Sequence, residues 1–141
     1  IIAGCISPNG IAILPNQTSL MAFTAPLNNA ACAPVLFSTV PIIGSNLQIG
    51  LTGGGATNSV LLGISAPLGA PPITFFPSTC PIFVNLATMI SLPSTTDAFG
   101  TTQWGMGPVP NLPGTSVVAQ VGAVIGGVLT GSNGLTLAIG F

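Results

Sequence analysis

The chain has no lysine, arginine, histidine or tyrosine, and its single acidic residue, Asp97, gives a formal net charge of −1. An ordinary domain carries roughly 25% charged residues; here the figure is 1%. Each absence argues against a class of function. Without Lys or Arg nothing neutralises phosphates, so nucleic acid is not expected as a partner, nor is a polybasic patch on a membrane surface. Without His, no serine or cysteine has an imidazole base to activate it. Asp97 has no second carboxylate with which to divide acid–base work. One Asp and three widely spaced cysteines do not form a metal-ligand set. No catalytic residue, cofactor site or metal site is therefore expected.

Glutamate is missing as well. With Lys and Arg also gone, the strong helix formers are depleted, and no long period-3.6 stripe is interrupted by polar residues. No apolar run reaches the roughly 18–20 residues of a membrane-spanning helix, so no membrane span is expected. The longest candidate, Val117 to Leu129, contains a GxxxG spacing at Gly122 and Gly126. It is too short and too β-branched for a membrane helix pair and reads as a buried strand.

What remains is apolar and rich in turns. The 141 residues suit one domain, and 48% are hydrophobic, enough for a core. Nineteen glycines and fourteen prolines fall just below the roughly 25–30% of the chain at which low-complexity disorder takes over. Short runs of Val, Ile, Leu, Thr and Phe separated by Gly, Pro, Asn and Ser are the signature of many short antiparallel strands. Strict alternation puts Leu47, Ile49 and Leu51 on one face, and likewise Leu135, Leu137 and Ile139. Further strands are expected within 33–38, 59–65, 73–76, 82–86, 88–92, 99–106 and 116–124. Seven to nine such strands predict an all-β fold, an immunoglobulin-like or jelly-roll β-sandwich, with Leu62, Ile64 and Val118 also in its core.

Between the strands lies turn chemistry. Gly53-Gly54-Gly55 reads as a hairpin loop and Ser132-Asn133-Gly134 as a turn. Thr96 to Gly100 reads as a turn in which Asp97 accepts main-chain N–H groups. Trp104, the only tryptophan, is expected in the core, with a contact or sugar-binding platform as the alternative. Asn16-Gln17-Thr18 fits the N-glycosylation pattern. Cys5, Cys32 and Cys80 make an odd count, which in a secreted chain suggests one disulfide and one thiol left over.

Residues 1–31 differ from the rest. Two apolar segments, Ile11–Leu14 and Leu20–Phe23, flank Pro15-Asn16-Gln17, and Pro26-Leu27-Asn28-Asn29 follows. The chain divides into an N-terminal arm, 1–31, and a β-sandwich domain, 32–141.

A set of short motifs runs in order through the domain: Cys32-Ala33-Pro34, Pro41-Ile42-Ile43-Gly44-Ser45, Leu61-Leu62-Gly63-Ile64-Ser65, Thr79-Cys80, Thr96-Asp97-Ala98-Phe99-Gly100, Pro110-Asn111-Leu112-Pro113-Gly114, Ala119-Gln120 and Ser132 through Gly140. In this order the stretch resembles a β-rich domain of unknown function found in many secreted bacterial proteins; Thr79 stands where that pattern has Gly. The resemblance covers about 110 residues. It implies a sandwich fold, secretion and a Cys32–Cys80 disulfide, and it carries no catalytic residues.

The arm suggests a role. Burying one Ile, Leu, Phe or Met stabilises by about 1.5–3 kcal/mol, so several anchors among Ile11, Ile13, Leu14, Leu20, Met21 and Phe23 offset the cost of ordering a strand. An open groove in a neighbouring copy, beside Leu135, Leu137 and Ile139, would supply main-chain partners. The chain has no charged gatekeeper against such pairing, and its near-zero charge favours self-association. The expectation is a homopolymeric extracellular fibre or pilus on a cell surface, assembled by analogy with donor-strand exchange. One alternative is that the arm folds back as the first strand of its own sandwich. Another is a monomeric secreted module that adheres to surface glycans or polysaccharide.

Overall fold

The computed structural model describes residues 20–27, 32, 34–69, 71–74 and 80–141. Nine strands run in the order β1 (Phe23–Leu27), β2 (Val35–Ser38), β3 (Asn46–Thr52), β4 (Ser59–Ser65), β5 (Ile90–Thr95), β6 (Thr102–Pro108), β7 (Ser116–Ile125), β8 (Val128–Gly131) and β9 (Gly134–Ala138). No helix occurs among the described residues. The larger sheet has the order β1-β9-β7-β4-β5, with β8 on the same flank of β7 as β9; the smaller has the order β2-β3-β6. Every strand pair is antiparallel.

The two sheets form a β-sandwich, as the alternation predicts. Leu36, Leu47, Ile49, Leu51 and Trp104 of the smaller sheet meet Val60, Leu62, Ala119, Val121, Ala123, Leu135 and Leu137 of the larger one in a single buried cluster. Ile64 and Ile139 pack at its margin. Val118 is buried too, but alternation turns it away from its neighbours Ala119 and Val121, to the outer face of the larger sheet.

Three expectations change. Gly53-Gly54-Gly55 is not a hairpin loop: β3 and β4 belong to different sheets, so residues 53–58 cross the sandwich. They are held by a second crossing, residues 96–101, through Gly54 N–H to Gly100 O (2.9 Å) and Thr57 N–H to Asp97 O (2.9 Å). Val117 to Leu129 is not one strand but the β7–β8 hairpin. Gly126 and Gly127 both take positive φ (59° and 81°), as the tight two-residue turn between right-twisted strands requires. Residues 82–86 form no strand; Ile82 and Val84 make only isolated bridges to Ile73 and Pro67. Pro67, Pro71, Pro72 and Pro81 interrupt this region, and a proline removes one ladder donor each time. Residues 80–85 instead run as a strap over the outer face of the larger sheet. Of the expected strand 73–76, residues 75 and 76 lie outside the described residues.

The outermost strands are short or interrupted. Pro26 sits in β1, Pro93 in β5 and Pro108 in β6, while β2 and β8 have four residues each. Proline and brevity are two of the ways a sheet edge is kept from pairing with another chain, and here they stand in for the missing lysines.

Candidate functional site

The expected donor and acceptor meet in this chain. β1 pairs with β9 in the register Phe23↔Ala138, Thr24↔Leu137, Ala25↔Thr136, Pro26↔Leu135, Leu27↔Gly134. Opposed residues share a face, so Thr24 and Pro26 lie toward the core beside Leu137 and Leu135, while Phe23, Ala25 and Leu27 lie outward. β1 therefore brings no large apolar side chain to the central core. Leu20, Met21 and Phe23 are all exposed, Met21 and Phe23 by more than half. Ile11, Ile13 and Leu14 lie outside the described residues, as do Cys5 and the Asn16-Gln17-Thr18 pattern.

The groove expected beside residues 133–140 is thus not open here: β9 has β7 on one flank and β1 on the other. Leu135 and Leu137 are core residues (3% and 1% exposed) because their alternation points them between the sheets. β1, which the sequence places in the arm, is an edge strand of the larger sheet. The close fit depends on Gly140. A methyl group there would run into Leu20 O, Ala22 N and the Met21 carbonyl carbon, all main chain. Phe141 N–H donates to Leu20 O (3.1 Å) and Ile43 N–H to Gly140 O (2.9 Å), so the last residues are clasped from two sides.

The link from β1 to β2 is anchored at its far end. Cys32 and Cys80 form a disulfide, 48 residues apart in sequence with Cα atoms 4.9 Å apart. This tie joins the β1–β2 link to the strap. Gln120, on the outer face of β7, then fixes the strap. Its Nε2 donates to Pro81 O (2.8 Å) and Ser132 O (2.9 Å), and its Oε1 accepts the Phe83 N–H (2.8 Å). Asn85 N–H donates to Ser65 Oγ (2.7 Å). A lone glutamine inside the apolar run 117–125 was a legible sign of such a role, because a buried amide needs partners.

Asn133 joins the two sheets on the β1 side. Its Oδ1 accepts the Leu36 N–H (2.8 Å) and its Nδ2 donates to Leu36 O (3.1 Å). The amide thus occupies main-chain groups on the free edge of β2, as a neighbouring strand would. Ser132 supplies the matching contact to β7: its hydroxyl accepts the Val121 N–H (2.9 Å) and donates to Asn133 O (2.8 Å).

Asp97 is fully committed to its turn. Its Oδ1 accepts the N–H groups of Phe99 (2.8 Å) and Thr101 (3.0 Å), and its Oδ2 accepts the Thr101 hydroxyl (2.6 Å). The Thr101 hydroxyl first, then the main-chain N–H groups of Thr101 and Phe99, hold its carboxyl below the usual value. Trp104 is buried in the core opposite Ile49, and its Nε1 has no hydrogen-bond partner among the described residues. No cluster of three or more His, Cys, Asp or Glu occurs among the described residues. No helix among them is long and apolar enough to cross a membrane. No protein family and no curated protein matches the sequence.

Proposed function

We propose that this protein is the structural subunit of an extracellular fibre, assembled when β1 of one copy takes the place of β1 on β9 of the next. The observation that carries the reading is the character of β1. Among the described residues it is an edge strand with β9 as its only strand partner, and none of its side chains belongs to the central core cluster. Exchange between copies re-forms the same ladder in trans, so it costs little beyond bringing two molecules together. A strand passed in one direction makes a heterologous contact, which extends into a filament when it does not close into a ring. In this reading Leu20, Met21 and Phe23 travel with the donor, and Ile11, Ile13 and Leu14 extend its contact on the neighbour. Leu135, Leu137 and Ile139 belong to the acceptor. The disulfide supports an oxidising, extracellular setting.

Cross-linking distinguishes the two pairings. Ala25 and Thr136 are directly opposed on the outer face. The triple variant C5S/A25C/T136C, assembled and then oxidised, should give a ladder of covalent oligomers on a non-reducing gel. Cross-linked monomer alone at every protein concentration would show that β1 stays at home, and the fibre reading would fall.

A further inference from the structure

The outer face of the smaller sheet carries a second arrangement that strand exchange does not use. Phe37 of β2 lies opposite Gly50 of β3. Its ring folds across the sheet rather than standing off it, because a methyl group at Gly50 would collide with ring atoms Cε2 and Cζ. The glycine makes a bed for the ring, and the side chain still stays 51% exposed. Beside the ring a shallow cleft of about 560 Å³ runs toward the β5–β6 corner, lined among others by Thr52, Thr95, Thr101, Asp97 and Gln103. Thr52, Thr95 and Gln103 are exposed, and their side chains make no hydrogen bond among the described residues. The aromatic surface is thus bordered by uncommitted neutral donors and acceptors.

We infer that this cleft binds a neutral hexopyranose unit of a polysaccharide. A pyranose offers a face of C–H groups, slightly positive, and a rim of hydroxyls that both donate and accept. The negative face of an aromatic ring attracts such C–H groups. A Gln amide and Thr hydroxyls match the rim in both senses. Charge narrows the class. The one ionised side chain in the protein is Asp97, on the wall of this cleft, and no side-chain cation exists anywhere in the chain. Uronic, sialylated or sulfated sugars would meet a carboxylate and no counter-charge. The cleft involves neither β1 nor β9, so the inference stands or falls separately from strand exchange.

Titration calorimetry on the full chain tests it, with cellohexaose, laminarihexaose and chitohexaose as neutral probes and hexagalacturonate as the anionic one. At least one neutral probe should bind saturably and hexagalacturonate should not. Phe37→Ala should weaken that binding about tenfold and Gln103→Ala about fivefold, the scale of one aromatic contact and one hydrogen bond. Phe37→Trp, which keeps an aromatic face, should retain it, and this variant separates a lost contact from a disturbed fold. Binding of none of the three neutral probes, equal binding of hexagalacturonate, or binding that Phe37→Ala leaves unchanged would each overturn the inference.

Discussion

A side chain at position 140 has no space to enter. The nearest atoms belong to the main chain of residues 20–22, which cannot rotate aside as a side chain does. Gly140→Ala should therefore displace the start of β1 and cost about 1–3 kcal/mol, the range of overpacked sites. Gly122→Ala, in β7, is the control: a methyl group there meets nothing within 4 Å, and its denaturation midpoint in urea should stay at or above the parent's. If both variants unfold alike, close approach at Gly140 is not what positions β1. Asp97 yields a second expectation. Its carboxyl is held below its unfolded value of 3.8 by hydrogen bonds to the ionised form. The stability it contributes is present above that value and is lost as pH falls through the lower folded value. Melting temperature should be level above about pH 5, fall toward pH 2, and become level throughout in Asp97→Asn. A decline of equal size in Asp97→Asn would mean that the acid response lies elsewhere.

Among the elements, the disulfide acts on the largest stretch of chain. Closing a loop of 48 residues is worth about 4 kcal/mol in the chain-entropy account. Reduction, or Cys32→Ser with Cys80→Ser, should lower stability on that scale in urea titrations. It should also loosen the strap and the β1–β2 link first, which amide exchange at Phe83 and Asn85 would report. The sequence announces some elements and hides others, for physical reasons. β3, β4 and β7 are plain in it because each alternates between a buried and a covered or solvated face, and β4 falls on 59–65 as expected. The sandwich follows from such runs. The strap does not, because Gln120, Ser65 and the disulfide hold it in place of a ladder, and side-chain partners have no period. Gly126-Gly127 is a hairpin signal obscured by its β-branched flanks. Gly53-Gly54-Gly55 gives the turn but not the sheet to which the chain returns, which depends on contacts with residues 96–101. The β1–β9 seam is half legible. The apolar arm and residues 133–140 both stand out, but whether they meet within one chain depends on contacts such as those of Gly140 and Phe141 with residues 20–22. Phe37 over Gly50 is invisible without knowing that β2 and β3 pair.

At the scale of the whole molecule, the surface combines large exposed apolar side chains, among them Phe99, Phe141, Ile90 and Leu129, with almost no charge. Folded proteins usually hold such surfaces apart by like-charge repulsion; this one relies on edges closed by Pro26, Pro93 and Pro108 and on the Asn133 amide across β2. Those guards are steric and directional, and counter-ions do not screen them. Assembly of the proposed fibre, followed by light scattering, should consequently proceed at one rate from about 10 mM to about 0.5 M sodium chloride, a span over which the Debye length shrinks several-fold. Ammonium sulfate should accelerate it, by raising the free energy of exposed apolar surface. A steep dependence on sodium chloride would point to ionic attractions that this chain has no means to make. A protein built in this way would keep its state of association through large swings in salinity, because its sheet edges are controlled by shape rather than by ions.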